Sequence, residues 1–281
     1  MTGLARRSIA EAMVAIRSAR VFDGERFLDG GGTVLVRDGR IVGVEPGFPD
    51  LGTDWEIVDC SNGTVLPGLI DTRVHLVADS QQDALDRVAG FTEEEIDEVV
   101  TDGLRRSLTG GVTTVRDLGD RLFNVVGRRD RQRHTPGLLE PTIVASGPPL
   151  TSPGGHCYYM GGEIPDRATL DAAIRARADR GVEVIKVMAS GGMTTAGSDI
   201  TGTQFSVEDL RFLVDRAHAA GLPVAAHAQS LASVEAALAA EVDAIEHCSC
   251  MTENGPVVTD DLIERLAASE IVVGGCSGCA Q

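Results

Sequence analysis

Apolar residues along this chain come in short runs, and the spacing between the runs changes near Gly68. Before that point the runs alternate with turn residues. Val34-Leu35-Val36-Arg37 and Arg40-Ile41-Val42-Gly43-Val44 flank Asp38-Gly39. This is a two-residue hairpin signal, because a tight I′ turn needs positive φ at both central positions. Ala15 to Val65 is therefore expected as short strands. From Gly68 onward, strand-like runs alternate with segments of helical period. Thr92-x-x-Glu95 is a capping box that opens a helix to about Ser107, ended by Gly110-Gly111. Strands are expected at Val112 to Val115 and Pro141 to Ser146, and a helix from Asp166 to Arg180 stopped by Gly181. A strand around Lys186 follows, then a helix capped by Ser206-x-x-Asp209 that ends at Gly221, and a strand closing on His227. Helices over Ser230 to Ala240 and Thr259 to Ala268 bracket a strand closing on His247, and Glu270 to Gly274 reads as one strand more. Such alternation predicts βα units and a parallel sheet.

The chemistry-bearing residues sit at the ends of these strands. Leu66-Pro67-Gly68-Leu69-Ile70-Asp71-Thr72-Arg73-Val74-His75-Leu76 is an apolar strand leaving a Pro-Gly turn. Positions 73 and 75 share a face, because strand side chains alternate with period two. Two imidazoles there would suit a divalent metal, but position 73 is arginine, which has no lone pair to offer. Val184-Ile185-Lys186-Val187-Met188 buries a lysine in a β-branched run, and burial favours the neutral amine. Val224-Ala225-Ala226-His227 and Ala244-Ile245-Glu246-His247 each end on a histidine. In a barrel of parallel strands, residues at the C-terminal strand ends converge on one pocket.

In combination these segments resemble the amidohydrolase superfamily, and within it the imidazolonepropionase-like and Xaa-Pro dipeptidase (prolidase) branch. The resemblance is carried by Val65 to Asp71, Gly111 to Asp117, Gly154-Gly155-His156, Ile185 to Gly192, Gln204-Phe205-Ser206, Ala226-His227-Ala228 and Ile245-Glu246-His247. It runs from about Ile16 to about Val273. It implies an α/β fold: a distorted (β/α)8 TIM-type barrel that here lacks strand 8, with half of a small N-terminal β-sandwich. The implied organisation is an extension over 1–14, a partial sandwich over 15–66, an incomplete barrel over 67–273 and an atypical tail over 274–281. The implied activity is hydrolysis of a small amide or peptide C–N bond, Xaa-Pro dipeptide-like or cyclic, by a metal-activated hydroxide. The implied metal ligands are His75, Lys186 as a CO2-derived carbamate, His227 and His247, with Arg73 in a ligand position. Zinc is the implied metal, one or two ions per chain, since imidazole and carboxylate-type oxygen suit it. By the same resemblance His156 hydrogen-bonds substrate or the tetrahedral intermediate, and the strand-8 aspartate that shuttles protons is absent. The rival expectation is a non-catalytic truncated remnant that keeps the fold and one metal site. A second copy of the chain, or a complementing C-terminal polypeptide, is the expected protein partner.

Charge narrows the partners. A net charge of −17 argues against nucleic acid and anionic membranes, whose partners carry basic surfaces. No apolar run has the length of a membrane span, and no secretory signal is evident, so the expected location is the cytoplasm. Six cysteines in a chain of this size do not make a disulfide scaffold, and Cys276-x-x-Cys279 reads as an incidental pair. Cys248 and Cys250 read as small fillers at the pocket rim. The arginines between Arg121 and His134 read as a solvated helix face or loop, and His218 as structural. For Asp117 two readings stand side by side, a group orienting a ligand and a local hydrogen-bond acceptor.

Overall fold

The computed structural model describes residues 13–81 and 83–275. Two compact units divide at Leu69. The N-terminal unit contains a four-stranded sheet of β1 (Met13–Ser18), β2 (Gly32–Arg37), β3 (Arg40–Pro46) and β4 (Glu56–Asp59), in the order β3-β2-β1-β4. β1 runs antiparallel to β2 and parallel to β4. The β2–β3 hairpin turns at Asp38 and Gly39, with φ of 52° and 73°. Both values lie in the left-handed region that the Asp-Gly signal anticipates.

The second unit alternates strands and helices as the sequence pattern predicts. Its strands are β5 (Leu69–Val74), β6 (Val112–Asp117), β7 (Thr142–Ala145), β8 (Ile185–Met188), β9 (Val224–Ser230), β10 (Ala244–Thr252), the short β11 (Gly255–Pro256) and β12 (Val272–Gly274). Its helices are α1 (Ala84–Arg87), α2 (Glu93–Thr109), α3 (Asn124–Arg133), α4 (Arg167–Asp179), α5 (Val207–Ala219), α6 (Leu231–Ala239) and α7 (Asp260–Ala268). Every residue of β8 and β9 is buried, which is why both read as continuous apolar runs rather than alternating ones. Thr92 and Glu95 form the expected reciprocal cap on α2, and Asp166, Ser206, Ser230 and Thr259 cap α4 to α7.

β5, β6 and β7 form one sheet, and β8, β9, β10 and β12 another, with β8 to β10 and β10 to β12 parallel. Leu150, in the segment that follows β7, pairs with β8. Its N–H donates to the Lys186 carbonyl and its own carbonyl accepts from the Met188 N–H, both at 2.8 Å. Seven strands thus follow one another in chain order. Among the described residues no pairing joins β12 back to β5, so the array is an open one and not a closed barrel.

One reading of the sequence needs correcting. The arginine-rich segment from Arg121 to His134 is not a uniformly solvated face. Arg129 is buried in α3, where it donates to the carbonyls of Arg180 and Gly181 and pairs with Glu183 and Asp130. His218 is on the exposed side of α5, with Nε2 2.8 Å from Asp243. The Cys276–Cys279 pair and the segment 1–12 lie outside the described residues.

Candidate functional site

Strand register sets which side chains meet. Met188 is level with His227, and His227 with Glu246. Neighbours across a ladder point the same way, and Lys186 lies two residues before Met188, so Lys186, His227 and Glu246 share one face. By alternation His247 would point away. It does not, because the β9–β10 register breaks after it and the backbone of His247 and Cys248 takes φ of 72° and 50°. This irregularity re-aims the ring, which is how a bulge commonly acts. The His247 ring centroid lies 4.7 Å from that of His227, and the His156 centroid 4.6 Å from that of His227. His227 thus links three imidazoles into one row of contacts.

Arg73, near the end of β5, reaches this row. Its Nη2 donates to His247 Nε2 at 2.7 Å, which commits the lone pair of that nitrogen. Arg73 Nε lies 4.0 Å from Glu246 Oε2, while Arg116 Nη2 donates to Glu246 Oε1 at 2.9 Å. Glu246 and Arg116 were not among the residues expected at the site. A charged residue buried in an apolar strand beside a histidine was the available signal. His75 is seated against Gly119, where a Cβ would fall inside the His75 ring. Asp117 takes the local role of the two foreseen. Its carboxylate accepts the N–H of Leu76 at 2.7 Å and of Gly119 at 3.2 Å, tying the ends of β5 and β6 together.

Lys186 is 1% exposed and its Nζ has no hydrogen-bond partner among the described residues. Among the described residues Arg73 Nε, His75 Nδ1 and Glu246 Oε2 are likewise buried without a hydrogen bond. Desolvation pushes the Lys186 amine down to about 7, with Glu246 opposing and Arg73 and Arg116 reinforcing the shift. Desolvation also holds His156 down to about 4 and His247 to about 3, aided by the charges of Lys186 and Arg73. His75 and His227 are driven well below the usual histidine value by the same cause. The imidazoles are therefore neutral donors or acceptors at physiological pH. His227 uses Nε2–H to donate to the Gly191 carbonyl at 3.0 Å.

His156 arrives from the loop after β7. Its N–H donates to Gln204 Oε1 at 2.6 Å, and Gln204 Nε2 donates to the Met188 carbonyl at 2.5 Å, pinning the loop to the end of β8. Its Nδ1 is 2.9 Å from Thr195 Oγ1. Gly192 leaves room for the ring, since a Cβ there would overlap it. Thr195 and Gln204 were not foreseen as parts of the site; they come from the long loop between β8 and α5, which carries no periodic signal.

Residues 64–263 match the model of the amidohydrolase family. The chain belongs to that family. Imidazolonepropionase of Mesorhizobium japonicum is 29% identical over 80% of this chain and 60% of its own length. Among solved structures, a prolidase complexed with N-methylphosphonate-L-proline is 26% identical, with a TM-score of 0.77 over 93% of this chain and 65% of that one. A Xaa-Pro dipeptidase with methionine bound in its active site is 25% identical, with a TM-score of 0.78 over 90% and 65%. The chain thus spans under two thirds of the length of these relatives. Both halves of the expected branch are represented among them.

The amidohydrolase resemblance implies metal, and the side chains answer differently for the two sets of expected ligands. Arg73 and His75 do not fit a metal, because the guanidinium is a permanent cation that already donates to His247. The chemistry of Lys186, His227 and His247 suits one: a buried amine without partners beside two neutral imidazoles. Against this stands the Arg73 contact on His247. Among the described residues no group of three His, Cys, Asp or Glu side chains converges to hold an ion.

Proposed function

We propose that this protein is a hydrolase of C–N bonds in small amides, Xaa-Pro dipeptide-like or cyclic, working at the inner ends of β5, β8, β9 and β10. The observation that carries the reading is Lys186, a fully buried amine with no hydrogen-bond partner among the described residues, beside neutral histidines in a chain of the amidohydrolase family. Lys186 as a carbamate, His227 and His247 would hold one zinc-type ion. Such an ion supplies a Lewis acid and lowers the pKa of water. His156, neutral and held by Gln204 and Thr195, donates a hydrogen bond to the carbonyl oxygen as charge develops on it, the role of an oxyanion donor. The apolar walls of β8 and β9 exclude bulk water, which strengthens that bond.

Arg73 favours a second reading, a remnant that keeps the fold but not turnover, because its guanidinium holds the His247 nitrogen a metal would need. Hydrolysis assays with zinc and bicarbonate, over Xaa-Pro dipeptides, N-acyl amino acids and cyclic ureides, separate the two. The chain itself and Arg73→His alone are expected near the floor of the assay. Arg73→His joined to the C-terminal portion of the prolidase relative is expected to turn over, and Lys186→Ala to abolish that turnover. If the joined protein is as inactive as its Lys186→Ala control, the hydrolase reading fails and the remnant reading stands.

A further inference from the structure

A neutral imidazole donates from one nitrogen only, so what His156 can do at the site depends on which nitrogen carries the proton. Thr195, buried in the loop after β8, bears on that choice from 39 residues away. Its Oγ1 accepts the Cys157 backbone N–H at 3.1 Å and lies 2.9 Å from His156 Nδ1. A hydroxyl has a single proton. The oxygen has two lone pairs, so accepting from Cys157 leaves its own proton free to point at Nδ1, 2.9 Å away. In that arrangement Nδ1 is the acceptor and the ring proton sits on Nε2.

The opposite edge of the ring accommodates a proton on Nε2. His156 Nε2 faces Cys157 Sγ at 3.6 Å, and the same sulfur accepts from the Tyr159 hydroxyl at 3.8 Å. Burial keeps this thiol protonated, with its pKa raised to about 11. Sulfur is a weak acceptor, so an N–H resting against it is readily given up to a carbonyl oxygen. The backbone of His156 is meanwhile fixed by Gln204, and the Thr195 hydroxyl faces its ring at Nδ1.

We propose that Thr195 is a positioning residue that holds His156 in the Nε2–H tautomer, so that the ring offers a donor to the amide carbonyl oxygen. The catalytic consequence rests on the function proposed above; the tautomer does not. The experiment is a long-range 1H–15N correlation spectrum of the histidine rings in the full chain, with His156 assigned by its loss in His156→Gln. Wild type and Thr195→Ser are expected to show a pyridine-type Nδ1 and a pyrrole-type Nε2 for His156. Thr195→Val, which keeps the shape and loses the hydroxyl, is expected to shift both nitrogens towards averaged values. A wild-type spectrum with the proton on Nδ1 would overturn the proposal, as would a folded Thr195→Val with an unchanged His156 pattern. If Thr195→Val fails to fold, the wild-type and Thr195→Ser spectra still decide. In a protein with measurable turnover, Thr195→Val is expected to lower kcat by about 10-fold or more with KM nearly unchanged, and Thr195→Ser to restore it. Absence of turnover in every protein would count against the hydrolase reading alone, since the spectra stand without it.

Discussion

Arg73 decides more about this site than any other single side chain. Position 73 faces the same pocket as His75, and its guanidinium already donates to His247. The expected consequence is stoichiometric. After dialysis the purified chain holds at most about one zinc-type ion, and Lys186→Ala holds none, by elemental analysis. Two equivalents per chain would show that Arg73 moves aside and that the ligand set is larger than drawn. His156 gives a second residue-scale prediction. Burial holds its folded pKa down to about 4, below the ordinary histidine value of 6.5. Between those values the unfolded chain takes up a proton that the folded chain refuses, so this group's contribution is full above about 6.5 and is lost as pH falls towards 4. The loss amounts to about 1.4 kcal/mol per pH unit crossed. Asp117, raised to about 8 by burial and by the charge of Asp120, acts in the opposite sense as pH rises, so a global melt mixes the two. The His156 ring signals isolate one of them. They should stay in the neutral form at pH 5, and a midpoint near 6.5 would contradict the buried setting.

At the scale of elements, caps and strand ends are the testable joints. Thr92→Ala removes the hydroxyl that accepts the Glu95 N–H at the start of α2, and should cost about 1 kcal/mol in urea unfolding. Asp117→Ala strips the acceptor from a buried Leu76 N–H and should cost about 1–3 kcal/mol, with Asp117→Asn closer to wild type. An Asp117→Ala midpoint equal to wild type would mean that the β5–β6 junction is held by other bonds. These elements were legible because their signals are local: a Thr and a Glu three apart, a Gly after a helix, a β-branched run. The re-aimed turn at His247 and Cys248 was not, because nothing in Glu246-His247-Cys248 marks a positive φ, and the break follows from how β10 pairs with β9.

For the molecule as a whole, the open strand array has the largest consequence. β5 and β12 stand at its two ends, with Ile70 64% and Val272 64% exposed. Exposed strand edges bearing apolar side chains are templates for pairing with another chain. The chain is expected to self-associate, and Ile70→Lys combined with Val272→Lys to shift it towards monomer in sedimentation velocity runs. A monodisperse wild-type monomer at tens of micromolar would refute this.

The sequence by itself determined the order of elements, the hairpin at Asp38-Gly39, the capped helices and the strands that carry Arg73, Lys186, His227 and His247, although β9 and β10 run on past the histidines where the sequence pattern ends them. Those features follow from period, turn chemistry and caps, which act over a few residues. What only the tertiary structure decided is which of these atoms meet. Arg73 and His247 are 174 positions apart along the chain, and only the array of strands makes one donate to the other. Glu246 gains its role from Arg116 on β6, and His156 gains its hydroxyl partner from a loop without pattern. A side chain's tautomer, charge and partners are set by what surrounds it in space, and that depends on strand order and register, which no local run of residues encodes.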